Sequence, residues 1–217
     1  MPYLSTQNWL DYYSNSFAVQ PVTVDIPLAF DTFLQSLSPT TNRDTDVNIG
    51  VGENNATASI ERQLIKPDFS LILAGHRIIS ASLYLTPVGD FSSNARTMSA
   101  HRTLRAVVSA EATWNIYSTG NNWGTAGCSN STTDYDGAIE MGTGTIPASP
   151  TLNVALEAIT FSVAGCAELQ KLFDGTYTNN GLVLFVDTQT NDLIRYASTD
   201  NGTAAYRPYI TVTYILA

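Results

Sequence analysis

The sequence predicts an all-β chain, a jelly-roll-like two-sheet antiparallel β-sandwich with one short helix. Three observations predict it. Arg77–Leu85 alternates, with Ile79, Ala81, Leu83 and Leu85 on one face and Ile78, Ser80, Ser82 and Tyr84 on the other. That period of two marks a half-buried strand. Comparable runs recur along the chain, separated by clusters of Gly, Pro, Asn, Asp and Ser that favour turns. One segment, Ala164–Phe173, carries helical spacing, with Ala167, Leu169, Leu172 and Phe173 on or near one face.

Taken in order, residues 1–22 form an N-terminal aromatic arm and residues 23–217 the sandwich. Ser5 or Thr6 is placed to cap a short helix through Asn8–Tyr13. Trp9, Tyr12, Tyr13 and Phe17 are dense for a terminal arm, and aromatic side chains are enriched at interfaces. The arm either folds back onto its own sandwich or docks on another subunit; its aromatic content argues against disorder. Val22–Leu37 holds a first strand pair or one bent strand, broken at Pro27. Ser38–Asn55 is turn-rich, with an apolar patch at Val47, Ile49 and Val51. Asp44, Asp46 and Asn48 stand at alternate positions in it, a spacing that offers part of a calcium shell. The same spacing suits ordinary Asx turns that begin a strand.

Gln63–Lys66 is a short strand interrupted by Pro67, and Asp68–Gly75 turns the chain into the Arg77–Leu85 strand. Thr86–Met98 reads as loop, Ser99–Val108 as strand, and Tyr135–Pro150, rich in Gly, Thr and Pro, as a segment lying across the surface. Thr151–Val163 alternates again, and Gly175 stands where the helix should stop. Asn179-Asn180-Gly181 turns into Leu182–Val186, apolar on both faces and so a central strand. Asn201-Gly202 is a type I′ turn candidate before the closing strand Arg207–Leu216. Strands from the two ends of the chain are expected to pair centrally.

Composition narrows the function classes. The chain has 217 residues, 44% of them hydrophobic, enough for one sizeable core. Only 13% are charged, so Ser, Thr, Asn and Gly must cover much of the surface, as in extracellular or virion β-proteins. A net charge of −9 without a basic cluster disfavours binding to a phosphate backbone, so no nucleic-acid partner is expected. No run approaches the roughly 20 apolar residues that span a bilayer. Met1–Phe17 lacks the pattern of a signal peptide, and Met1-Pro2 reads as the natural start of a complete product made in the cytoplasm. Cys128 and Cys166 are either two buried free thiols or one disulfide, and no zinc spacing surrounds them.

A set of pieces stands in a fixed order along the chain: Asp31-Thr32-Phe33, the Asn- and Gly-rich Asn42–Gly52, Arg62–Ser70, Gly75–Leu85, Thr113-Trp114-Asn115, Trp123–Gly127, Asn179–Leu184 and Arg207–Tyr214. Together, over residues 31–214, they resemble the opening strand, the Asn- and Gly-rich segment, the next two strands, the two tryptophan motifs, the Asn-Asn-Gly strand and the terminal strand of the DNRLRE domain family, which is related to a family of carbohydrate-binding modules. Pro67 departs from it where the family prefers Phe, and Val107–Glu111 stand where a Trp and an acidic pair are usual. The resemblance implies a jelly-roll sandwich of the kind found in secreted or surface proteins, in polysaccharide-handling enzymes as a binding module, and in virion proteins of tailed phages.

The resemblance brings no catalytic set, and the residues supply none. His76 and His101 lie without a Gly-x-Ser-x-Gly elbow, and Glu61, Asp68, Glu111 and Glu140 do not select themselves as a glycosidase pair. Trp114 and Trp123 read as packing anchors, which leaves Tyr117 and Tyr135 as the candidate glycan platform. The expected function is therefore that of a non-enzymatic virion protein without a cofactor, unless calcium serves as one. It would be homo-oligomeric, assembled with other virion proteins, and able to meet a surface glycan. The alternative is an extracellular carbohydrate-binding module beside a polysaccharide-degrading system.

Overall fold

The computed structural model describes residues 20–54, 56–92, 94–186 and 191–216. Its strands are β1 (Val22–Gln35), β2 (Asn48–Asn54), β3 (Ser59–Pro67), β4 (His76–Leu85), β5 (Pro87–Asp90), β6 (Arg96–Arg102) and β7 (Ile116–Ser118). After these come β8 (Asn121–Asn122), β9 (Gly142–Ile146), β10 (Leu156–Phe161), β11 (Leu182–Val186), β12 (Ile194–Ala197) and β13 (Tyr209–Leu216). Among the described residues one α-helix, α1 (Val163–Phe173), stands between β10 and β11. Across those residues the all-β expectation with one short helix is met.

The two-sheet sandwich is not, because the strands close into a barrel. Eight of them run antiparallel in the ring β1–β13–β4–β10–β9–β6–β11–β3, and β3 pairs back to β1. The closure resides in β1. Its first half pairs with β13, from Val22 opposite Tyr214 to Pro27 opposite Tyr209. Its second half pairs with β3, from Leu28 opposite Pro67 to Gln35 opposite Glu61, after a register shift between Leu28 and Phe30. A bulge of this kind bends a strand and raises its twist, so one long strand can serve two neighbours. Pro27 bends β1 rather than ending it; its carbonyl accepts the Asp68 N–H at 2.9 Å. Alternation is the same in a sandwich and in a barrel, so it does not distinguish them.

β2, β12 and β5 extend the sheet from the N-terminal end of β3. Their apolar face, Ile49, Val51, Ile194 and Tyr196, joins the barrel core with Leu83, Met98, Leu184 and Val212, all of them buried. Barrels of eight strands are just wide enough for side chains to fill.

Several segments depart from the sequence reading. Thr86–Met98, read as loop, holds β5 and the first residues of β6, and Ser99–Val108, read as strand, leaves the sheet after Arg102. Tyr135–Pro150 contains a barrel strand, β9, paired on both edges. Its glycines are the reason it fits: a Cβ on Gly142 would lie 2.8 Å from the Phe161 Cα, and one on Gly144 2.7 Å from the Ala158 carbonyl carbon. In β4 a register shift at Tyr214 turns Ile79 outward and Ile78 inward, so Ile79 does not share a face with Ala81 and Leu83. Asn201-Gly202 does not connect paired strands, and neither residue has the positive φ of a type I′ turn. Asn201 instead makes an Asx turn, its Oδ1 accepting from the Thr203 N–H at 2.9 Å.

The helix begins one residue earlier than expected. Ser162 caps it, its Oγ accepting from the Gly165 N–H at 3.0 Å. Gly175, with φ of 79°, follows its end as expected. Leu169, Leu172 and Cys166 face the core, whereas Ala167 is exposed. Both cysteines are free buried thiols, Cys166 in the barrel core and Cys128 in a second cluster, which settles against a disulfide.

Candidate functional site

That second cluster lies on the outside of the barrel. Alternation along β1, β3 and β11 points Leu34, Leu64 and Val183 outward, where solvent would meet them. The excursion between β6 and β9, residues 103–141, covers them with Ala112, Trp123 and Cys128. Trp123 is the anchor read from the sequence: it is buried, and its Nε1 donates to the Thr113 carbonyl at 2.9 Å. Trp114 is half-buried and lies against Gly127, where a Cβ would come within 2.5 Å of its ring.

One buried carboxylate organises the excursion. Asp134 accepts from the N–H groups of Gly124 at 2.6 Å, Thr125 at 3.0 Å and Asn130 at 3.0 Å, and from Arg105 Nε at 3.4 Å. Burial alone would raise its pKa, but these donors outweigh that and hold the carboxyl below its ordinary range.

Where the excursion returns to the barrel it leaves a cleft of about 280 Å³. The floor comes from three neighbouring strands: Arg62 on β3, Phe185 on β11, and Ser99 and His101 on β6. Tyr135, Ser129 and Glu140 supply the walls. Tyr135, His101 and Phe185 form one ring cluster, with centroids 4.9–5.8 Å apart. Arg62 lies between Phe185 and Trp114, 5.0 and 5.4 Å from their centroids. Its Nη1 donates to the Gly127 carbonyl at 2.6 Å and to Ser129 Oγ. None of the ion pairs among the described residues involves Arg62, and burial lowers its pKa. His101 Nδ1 lies 3.1 Å from the carbonyls of both Asp136 and Ile139, two acceptors that place a ring proton on that nitrogen. The cleft thus offers aromatic faces, hydroxyls, a cation and an exposed carboxylate, the fittings of a small polar ligand's site.

The other sequence candidates fall elsewhere. Tyr135 lines the cleft, but Tyr117 does not; it packs on Trp123 at 5.5 Å and under Arg105 at 5.4 Å. Phe185, Arg62 and His101, the cleft's other ring and charge carriers, were not singled out for binding by sequence reasoning. Outward alternation in Leu182–Val186 was the available signal for Phe185. His76 Nδ1 meets the Leu73 carbonyl at 2.8 Å, so neither histidine has a carboxylate on Nδ1 of the kind a catalytic triad requires. Glu61 is buried and takes Gln35 Nε2 at 2.8 Å and Arg195 Nη2 at 3.1 Å. Glu111 accepts from the Thr119 N–H at 2.7 Å and Asp68 from the Ser70 N–H at 2.9 Å. The arm residues Trp9, Tyr12, Tyr13 and Phe17 lie outside the described residues.

Of the calcium candidates, Asp46 pairs with Arg43 at 3.3 Å, and Asn48 opens β2 opposite Ala197. Among the described residues no group of three His, Cys, Asp or Glu is arranged to hold a metal ion. Asp44 instead adds its charge to that of Asp200 around buried Asp31. Asp31 accepts from Thr199 Oγ1 at 2.7 Å and from the Thr199 N–H at 3.1 Å. Burial is the larger influence, and it pushes the carboxyl up from 3.8 to about 6 despite those bonds. The folded state therefore holds this proton more tightly than the unfolded chain. Its contribution to stability is complete below pH 3.8 and is lost as pH rises to about 6. A shift of this size corresponds to about 3 kcal/mol. Unfolding free energies from denaturant titrations between pH 4.5 and 7.5 should show wild type losing about 2 kcal/mol relative to Asp31→Asn, the part of the shift that falls inside this window. Parallel pH profiles for the two proteins would refute the assignment.

Comparison of the sequence with models of protein families finds no match, and comparison with curated proteins finds none either.

Proposed function

We propose that the chain is a non-enzymatic structural protein of a virus particle, a capsid decoration, fibre or surface protein that works by assembly with copies of itself and with other virion proteins. The observation that carries this reading is the distribution of exposed apolar side chains. Val22, Leu71, Leu73, Ile79, Val163 and Leu216, half of the twelve exposed large apolar side chains among the described residues, belong to the start of β1, the loop before β4, the start of β4, the start of α1 and the end of β13. Register places these strand ends together, since Val22 faces Tyr214, Tyr214 faces Ile78, and Leu216 faces His76. Apolar side chains gathered at one end of a barrel mark an interaction surface. The chain N-terminal to Val22, which carries Trp9, Tyr12, Tyr13 and Phe17, departs from this same end. The ordered likeness to the DNRLRE family, some of whose members are virion proteins, supports the reading from the sequence side.

The cleft favours a second reading, an extracellular carbohydrate-binding module, because it combines a cluster of tilted aromatic rings with polar groups. One pair of samples separates the two. Light scattering on the intact protein and on a form lacking residues 1–20 should give an oligomer that the deletion dissolves. If both are monomers and both bind a glycan array equally, the assembly reading falls and the module reading takes its place.

A further inference from the structure

The end of the barrel carries a built groove as well as exposed side chains. α1 lies along β4, and Gln170 stitches them: its Oε1 accepts from the Ile78 N–H at 2.8 Å and its Nε2 donates to the His76 carbonyl at 3.2 Å. On one side of Gln170 lies a groove of about 380 Å³ between Val163, Ala167, Ile79 and Arg77. On the other lies one of about 470 Å³ between Ile72, Ala74, His76 and Phe173. Val163 is 92% exposed and Leu73, in the loop beside the second groove, 70%. The outward turn of Ile79 caused by the register shift in β4 is what puts an apolar side chain into the first groove.

We infer that these two grooves receive the aromatic segment 1–19 of a second copy of the chain. The inference rests on the assembly reading above and names its contact. Three observations select this occupant. The segment leaves from the end that carries the grooves, as the pairing of Val22 with Tyr214 and of Tyr214 with Ile78 requires. It supplies large apolar side chains, Leu4, Trp9, Leu10, Tyr12, Tyr13 and Phe17, of the kind that fill pockets at interface centres. Its only charged side chain is Asp11, and the first groove presents Arg77, exposed and outside every ion pair among the described residues. Segment and groove on one chain make a reciprocal contact, and a two-fold dimer satisfies both copies at once.

Complementation tests it. One protein lacks residues 1–19 and keeps the grooves. The other keeps the segment and carries Val163→Asp with Leu73→Asp. Both substitutions are at exposed positions, and Asp at the first position of α1 suits its N-terminus. Each protein alone should scatter light as a monomer, and an equimolar mixture should recover the mass of two chains. A synthetic peptide of residues 1–19 should bind the truncated protein at least 10-fold more tightly than it binds the truncated protein carrying the two Asp. If the double substitution leaves the wild-type oligomer intact, the groove assignment is overturned while the assembly reading stands. If wild type is itself a monomer, that reading fails; peptide binding to the truncated protein would then show the groove filled by the chain's own segment, which also overturns exchange between copies.

Discussion

Gly165→Ala should destabilise the protein by about 2–3 kcal/mol, although the same change inside most helices gains 0.5–1 kcal/mol. The sign is decided by what a methyl group would meet. Gly165 is the third residue of α1, and a Cβ there would fall on the Met141 carbonyl oxygen, with the carbonyl carbon 2.5 Å away. That oxygen is already engaged. It accepts from the Ser162 N–H at 2.9 Å and from Ser162 Oγ at 3.2 Å, so the helix cap is fastened to the residue that precedes β9. The Met141 N–H in turn donates to the Ala100 carbonyl at 2.8 Å, inside β6. No flexible side chain can move aside, because every obstructing atom is backbone. Relief requires α1 to lift from the barrel, which exposes Leu169 and Leu172. For a domain of this size the loss corresponds to a fall in melting temperature of roughly 5–10 °C. Gly202→Ala is the matched control: nothing lies within 4 Å of its Cβ, and its φ is not positive. Calorimetry should show that control within about 0.5 kcal/mol of wild type. A Gly165→Ala protein as stable as the control would refute the close-approach account.

The same backbone contacts explain where sequence reading worked and where it stopped. Periodicity located α1 to within one residue, because its apolar face and Gly175 are local signals. It located β11 as a central strand, and it named Trp123 as an anchor. It missed β9, whose Gly-Thr-Gly-Thr run has no apolar alternation; there the glycines are selected by the neighbouring backbones of β10. It assigned Ile79 to the wrong face because a one-residue register shift reverses every side chain on one side of it, and the shift is set by pairing with β13. It chose a sandwich over a barrel because closure depends on one strand, β1, pairing with both β13 and β3.

The candidate site was legible only in part, for a related reason. Tyr135 emerges from the sequence as one of two aromatics left once the tryptophans are assigned to packing, but its partners Phe185, His101 and Arg62 come from three strands far apart in sequence. Their proximity follows from the barrel order β6–β11–β3, which no local pattern records. Tyr117 carries the same side chain as Tyr135 and was equally plausible from sequence. The fold places it beside Trp123, away from the cleft.

Asp134→Ala should cost about 3–5 kcal/mol, the range for stripping one partner from a buried charged group, and the loss should be confined to the excursion. The carboxylate is fully buried and accepts three backbone N–H groups from Gly124, Thr125 and Asn130. Alanine leaves all three without an acceptor and leaves Arg105 without its ion pair. Each stranded donor costs about 1–3 kcal/mol, so the turns between β8 and Tyr135 have reason to open. The barrel has none, since its ladder does not pass through Asp134. Hydrogen exchange should therefore quicken at residues 104–135 while the amides of β4 and β13 keep their protection. Asp134→Asn should lose less, because one oxygen remains to accept. Acid should imitate the substitution: a carboxyl held below its ordinary range contributes stability above pH 3.8 that disappears as pH falls through its folded value. Because Tyr135 follows directly and walls the cleft, any ligand bound there should be lost from Asp134→Ala with the barrel still folded. Uniform loss of protection across β4, β13 and the excursion would instead make the excursion part of one cooperative unit with the barrel, and Asp134 a determinant of the whole fold.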